Sequence, residues 1–300
     1  MLKIENLNVS YKKGSPILHN VSMHVDAGEI VGIIGMNGAG KSTLMRAISG
    51  VLPYQPGTIK IKNVDACKIT MEQRQKISFL KAENNIYKEL SVLENIKICQ
   101  KLYKAKNATV KKAIELLRCE EILNKKVGEL SSGMRQRVSI VTSTLSDYHL
   151  LLLDELTNAI DIETKKYIIE YVRSLSNEHN GILITSHNIK DIEELCDRIY
   201  ILRKGEVVKE TTVESILRES EEKNNTWFVS VPLGSDCDLA LMSFKKNEYS
   251  VKECETCISI QVDEAKKQEL LKQLILNEIK IISVSSMIDS LEDAVLEVMG

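Results

Sequence analysis

The stretch GMNGAGKST, residues 35–43, follows the apolar run EIVGII (29–34) and opens the helix-patterned LMRAISG (44–50). It fits G-x-x-x-x-G-K-[ST], a phosphate-binding loop set between a short β-branched strand and an apolar-spaced helix. The glycines let the backbone fold tightly enough for successive N–H groups to point at phosphate oxygens. The following helix adds the positive end of its dipole. The candidate nucleotide-binding residues here are Gly35, Asn37, Gly38, Ala39, Gly40, Lys41, Ser42 and Thr43. Lys41 is placed to hold the β- and γ-phosphates, and Ser42 to offer its hydroxyl to Mg²⁺.

Upstream of the loop, LKIENLNVSY (2–11) and ILHNVSMHV (17–25) alternate apolar and polar residues and read as strands. Tyr11 lies between them. An aromatic there either stacks on a base or closes a sheet edge. Downstream, VLPYQPGTIKIKNVD (51–65) reads as a turn into a short strand. From about residue 84 to 145 the chain is rich in helix formers and reads as a helical subdomain inserted into an α/β core. Its lysines, among them Lys97, Lys101, Lys104 and Lys111, form a solvated face or meet lipid head groups or a partner.

Three further stretches carry chemistry. LSSGMRQRVSIVTSTL (130–145) turns at Ser-Ser-Gly into an amphipathic helix beginning near Met134, a second helix start able to take an anion. HLLLLDE (149–155) is a buried strand ending in Asp154 and Glu155. Such a pair can put one acid on a metal and the other beside an attacking water, because side chains alternate along a strand. GILITSH (181–187) is another buried strand, and it delivers His187 to the sheet edge where open α/β sheets bind ligands. The other four histidines have no such placement and read as structural.

With 300 residues, 43% of them hydrophobic, the chain is long enough for about two domains with buried cores. A net charge of -2 gives no global basic character, so direct nucleic-acid binding is not expected. Seven scattered cysteines and the lack of a charged-then-apolar leader point to a reducing cytosol without disulfides. No apolar run approaches the ~20 residues of a membrane helix, so any span is expected from a partner.

The order of these motifs resembles that of ABC transporter ATPase subunits, without a gap from Met1 to about Glu210. The resemblance implies that Tyr11 is the adenine-stacking aromatic and residues 35–43 the Walker A loop. LSSGM (130–134) matches the signature usually written LSGGQ, and NAID (158–161) the D-loop. Asp154 and Glu155 match the Walker B aspartate and the catalytic glutamate, and His187 the switch histidine. The expected chemistry is hydrolysis of ATP with Mg²⁺. Glu155, His187 and Lys41 are its catalytic residues, and Ser42 and Asp154 its metal ligands. Two such subunits, identical or different, pair head to tail in this family, so Ser131 and Gly133 of one close over the nucleotide of the other. Four positions depart from the family pattern. Ser132 replaces the first signature glycine, Met134 replaces its glutamine, and Leu156 stands where proline follows the acidic pair. Ala82, beside Glu83, occupies the place of the Q-loop glutamine. The last departure implies slower hydrolysis, and it keeps open a weakly hydrolytic half of a heterodimer. A soluble relative working on ribosomes or nucleic acid is the other alternative. Against it stand the single G-x-x-x-x-G-K and the absence of sustained heptads.

The expected organisation is an α/β P-loop NTPase core over 1–212, a helix and linker over 213–225, and a small ferredoxin-like α+β domain over 226–300. The last follows from the periodicities β, α, β, β, α, β and a closing helix. It is similar to the appendage on ATPases of drug, antibiotic and peptide exporters, and SLEDAVLEVMG (290–300) is close to their ending. The resemblance thus implies an exporter motor on the inner face of the cell membrane, bound to a separate multi-span permease. Cys254 and Cys257 form a lone C-x-x-C without the second pair that a zinc site needs.

Overall fold

The structure is a computed structural model that describes residues 1–11, 16–81, 86–157, 160–223, 226–232, 250–253, 257–286 and 291–299. It divides into two units, Met1–Val213 and Glu214–Val298. The first opens with strands β1 (Leu2–Ser10), β2 (Pro16–Val25) and β3 (Ile30–Ile34), followed by helix α1 (Lys41–Ile48). Next come β4 (Ile59–Ile61), β5 (Val64–Asp65), the single turn α2 (Met71–Arg74) and β6 (Ile77–Leu80). Helices α3 (Val92–Tyr103), α4 (Asn107–Leu116) and α5 (Ser132–Ser143) lead to β7 (Leu150–Asp154). The unit closes with α6 (Ile162–Leu175), β8 (Gly181–Ser186), α7 (Ile189–Leu195), β9 (Arg198–Arg203) and β10 (Glu206–Thr211).

Every residue of β3, β7 and β8 is buried, which is why these strands read as unbroken apolar runs. Strands covered on both faces belong to the middle of a parallel sheet. The central sheet has the order β10-β9-β3-β8-β7-β6, parallel except for its β9–β10 edge pair. Its register pairs Ile34 with Ser186 and Thr185 with Asp154. The carboxyl ends of β3, β8 and β7 therefore lie side by side, bringing Gly35, His187 and Glu155 to one edge. A smaller antiparallel sheet, β2-β1-β4-β5, alternates buried and solvated residues. Leu44, Met45, Ala47 and Ile48 of α1 lie in one core with residues of both sheets, such as Ile4, Val21, Leu152 and Leu183. Helix α3 starts in a reciprocal capping box between Ser91 and Glu94, and it packs on α5.

Lys204 and Gly205 join β9 to β10 with φ of 47° and 84°, the paired left-handed residues of a tight hairpin turn. A Cβ on Gly205 would stand 2.0 Å from the Ile17 carbonyl oxygen. Gly205→Ala is therefore expected to destabilise the first unit by about 2–4 kcal/mol. The check is a lowered urea midpoint with an unchanged slope.

The second unit begins with α8 (Val213–Lys223), β11 (Thr226–Pro232), β12 (Ser250–Glu253) and β13 (Cys257–Asp263). It continues through α9 (Glu264–Leu276), β14 (Ser283–Ser286) and α10 (Leu291–Met299). Its sheet is antiparallel with the order β12-β13-β11-β14. With β13 inserted between β11 and β12, this is the split arrangement of a ferredoxin-like unit. Val229, Val231, Ile258, Ile260 and Val262 of the sheet pack on Leu270 and Leu274 of α9. The helix expected between β11 and β12, and Cys254, lie outside the described residues; Cys257 is a free, half-buried cysteine. Among the described residues no helix is long and apolar enough to cross a membrane.

Candidate active site

Gly40 caps α1 with φ 108°, and it does so without a side-chain cap and with no acidic residue in the first turn. The first amides of α1 thus face the loop with a positive end and no built-in counter-charge. A Cβ on Gly35 would stand 2.5 Å from the Leu202 carbonyl oxygen, so close packing under the loop admits only glycine there. Lys41 is 6% exposed. Its Nζ donates to the carbonyl oxygens of Gly35 at 2.6 Å and Met36 at 3.4 Å, and lies 3.9 Å from Glu155 Oε1. Burial holds the Lys41 ammonium below its ordinary pKa, opposed by the carboxylates of Glu155 and Asp154.

Asp154 ends β7 with Oδ1 accepting from Ser42 Oγ at 3.3 Å and from Thr185 Oγ1 at 2.5 Å. Glu155 follows in the left-handed region, φ 54°, a conformation costly for a residue with a Cβ. Thr185 holds it there: the Glu155 N–H is 3.0 Å from the Thr185 carbonyl oxygen and 3.3 Å from its hydroxyl. The turn swings the Glu155 carboxylate toward His187, whose Nδ1 is 2.5 Å from Oε2, while Oε1 faces Lys41. His187 is 48% exposed against 16% for Glu155, so the pair forms the floor and the open wall of one site. A carboxylate between an ammonium and an imidazole can orient a water and take its proton. Ser42 and Asp154 present two oxygens from facing elements, the donor type that Mg²⁺ takes when substrate phosphates supply the remainder.

Tyr11 is 49% exposed, with its hydroxyl 3.3 Å from Thr43 Oγ1 and from Arg46 Nη1. Its ring thus borders α1 beside the loop. Ser131 and Gly133 belong to a different constellation. Ser131 caps α5 by accepting from the Met134 N–H at 3.3 Å, so the helix starts at Ser132, two residues earlier than the sequence pattern placed it. Gly133 is packed near Asp161, the residue that caps α6 by accepting from the Thr164 N–H at 2.8 Å. No hydrogen bond joins Ser131 or Gly133 to the phosphate loop among the described residues. Ala82 and Glu83, and Asn158 and Ala159 of the D-loop, lie outside the described residues. Thr185 is the functional neighbour that sequence reading missed, and its one signal was a polar residue inside the apolar run GILITSH.

Over residues 18–158 the chain matches the ABC transporter family. It is 33% identical over 223 residues to the ABC transporter ATP-binding protein NatA of Bacillus subtilis (strain 168), covering 73% of this chain and 90% of that protein. The chain belongs to the ATP-binding subunits of ABC transporters. This ABC ATPase is also 27% identical over 302 residues to the Uncharacterized ABC transporter ATP-binding protein YhcH of the same organism, spanning 100% of this chain and 96% of that one. With Methionine import ATP-binding protein MetN 1 of Bacillus thuringiensis subsp. konkukian (strain 97-27) it shares 31% identity over 241 residues, 76% of this chain and 71% of that protein. Among solved structures, an "ATP binding subunit of ABC transporter" superposes with TM-score 0.67 at 25% identity, covering 82% of this chain and 99% of that one. The ATP-binding cassette MJ0796 in a dimeric post-hydrolysis state bound to ADP and Pi gives 0.62 at 27% identity, covering 71% of this chain and 98% of that one. The ABC ATPase is therefore an ATP-binding transporter subunit and an ATP hydrolase.

Proposed function

We propose that this ABC ATPase is the motor of an exporter, working as a head-to-tail pair on a separate permease at the membrane face. The observation that carries the hydrolytic part is the Glu155 carboxylate held between Lys41 Nζ and His187 Nδ1. In this reading Glu155 orients the attacking water and accepts its proton, while His187 steadies the carboxylate and meets the γ-phosphate. Lys41 and the amides of Gly35, Asn37, Gly38, Ala39, Gly40 and Thr43 balance the charge that spreads over the phosphate oxygens. Ser42 and Asp154 hold Mg²⁺, which when bound neutralises β- and γ-phosphate charge. Tyr11 stacks on the adenine. Ser131 and Gly133 complete the partner's site, which gives the second anion-ready helix start a phosphate to meet.

The export direction is supported by the second unit and the SLEDAVLEVMG ending. The methionine importer among the relatives marks the competing direction. For the permease, α3 offers a docking face. Leu102, Ile98 and Tyr103 are exposed, and Tyr103 and Cys99 line a cleft shared with Phe79 of β6. Leu102→Asp is expected to lower permease co-purification about tenfold, as loss of an interface anchor does, and to leave the ATPase rate of the isolated protein intact. Transport measured in inverted vesicles made with the co-purified permease tests the direction. ATP-driven accumulation inside such vesicles is the exporter result, and ATP-driven depletion the importer result.

A further inference from the structure

Behind the Glu155 turn lies a buried polar cluster that the chemistry above does not use. Asp191 on α7 is 1% exposed, and its Oδ2 accepts from the Thr157 hydroxyl and, at 3.3 Å, from the Ser186 hydroxyl. Its Oδ1 is 2.5 Å from Lys165 Nζ on α6, an ion pair by distance whose angle falls outside hydrogen-bond geometry. Thr157 stands two residues after Glu155, and Ser186 immediately precedes His187. Helix α6 is the one whose cap, Asp161, neighbours Gly133. One carboxylate therefore joins the turn that aims Glu155, the turn that aims His187 and the helix that starts beside the signature residues.

Stability does not account for such a cluster. A buried ion pair repays its desolvation poorly, and apolar residues of similar volume hold such helices as well or better. Directional bonds do what apolar packing cannot, because they set two turns in register to fractions of an ångström. The 2.5 Å contact between Glu155 and His187 spans those two turns. The Ser186 hydroxyl also accepts from the Asn188 N–H at 2.9 Å, fixing the backbone on both sides of His187. From the other side, Gln136 of α5 donates to the Leu156 carbonyl oxygen at 2.8 Å.

We infer that Asp191 is a positioning residue for hydrolysis. It locks the Glu155 turn to the His187 turn and, through Lys165, links that register to the position of α6. The inference rests on the reading of Glu155 and His187 as the residues at the water. It is tested on the full chain by measuring phosphate release at saturating MgATP and, separately, the affinity for ATP. Asp191→Asn and Thr157→Val are expected to lower kcat about 10²-fold, the effect of a displacement of roughly 1 Å at reacting groups. ATP affinity should stay within about twofold, since Lys41 and the loop are untouched, and Thr157→Ser should restore kcat to within about threefold of wild type.

Where Asp191→Asn does not fold, combining it with Lys165→Met removes the ammonium, which would then be left with the more distant Glu194 carboxylate at 4.0 Å, and the Thr157 pair reads the same contact without altering charge. Wild-type kcat in Thr157→Val beside a slow Glu155→Gln overturns the inference alone. Wild-type kcat in Glu155→Gln overturns the reading beneath it and the inference with it. A Thr157→Val protein in which kcat and ATP affinity fall together, with no recovery in Thr157→Ser, marks a purely structural role and also overturns it.

Discussion

Glu155→Gln is expected to hold ATP with near wild-type affinity and to release phosphate about 10²–10⁴-fold more slowly, the range lost with a positioned general base. The substitution is close to isosteric, so the left-handed turn and its bonds to Thr185 should survive. Two properties go with the charge. The amide cannot take a proton from water, and it no longer faces Lys41 Nζ as an anion 3.9 Å away. Phosphate release at saturating MgATP, measured beside equilibrium ATP binding, separates the chemical step from affinity. Equal rates in the two proteins would remove Glu155 from the mechanism. If hydrolysis is what reopens the head-to-tail pair, the variant should also run as a dimer in ATP and as a monomer without it.

Lys41→Ala has the second large effect and a different signature. Loss of one preorganised donor to developing charge costs about 10²–10³-fold in rate. Lys41→Ala is expected to lose at least that, and here ATP affinity should fall with it. The buried ammonium bonds two carbonyl oxygens of its own loop, so its removal unties the loop as well as discharging it. A pH test follows from its lowered pKa. The unfolded chain binds the Lys41 proton up to its ordinary value of 10.5, whereas the folded chain gives it up earlier. In that window the unfolded state holds more protons, so the contribution of Lys41 makes stability rise with pH. Nucleotide works in the opposite sense, because phosphate charge favours the protonated ammonium. ATP affinity should therefore weaken as pH rises through the lowered Lys41 pKa, and Lys41→Ala should lack that component. Isothermal titration at several alkaline pH values checks both expectations.

The parts of this fold that the sequence made legible are those in which burial leaves a pattern. Strands β3, β7 and β8 are buried on both faces, so IVGII, LLLLD and GILITS stand out as apolar runs, and Asp154, Glu155 and His187 are conspicuous as the polar residues that end them. Strand β6 leaves almost no pattern. It is a half-buried edge strand of four residues, ISFL, and sequence reading passed over it. The polar cluster behind the site was hidden for a related reason. Thr157, Ser186 and Asp191 are single polar residues whose partners lie far along the chain, and no periodicity reports such contacts. In the second unit the succession of periodicities was readable enough to imply a ferredoxin-like unit, and the insertion of β13 between β11 and β12 is the strand order which that reading carries. Ser131 shows the limit at element ends. Apolar spacing put the start of α5 near Met134, while the cap geometry starts it at Ser132.

The neighbours of β3 also set a timetable for biosynthesis. Among the described residues β3 pairs with β8 and β9, which begin at Gly181 and Arg198. At roughly 5–20 residues per second, a ribosome needs on the order of ten seconds after β3 emerges to supply its first partner. Throughout that interval IVGII has neither of its sheet partners, and the loop behind it has no strand end to spring from. Until β8 is made the nascent chain lacks His187, so its site is incomplete. For most of that interval IVGII waits without the apolar run of β7, which begins only at Leu150, and this leaves the span between β3 and β8 a stretch of translation exposed to aggregation and to chaperones.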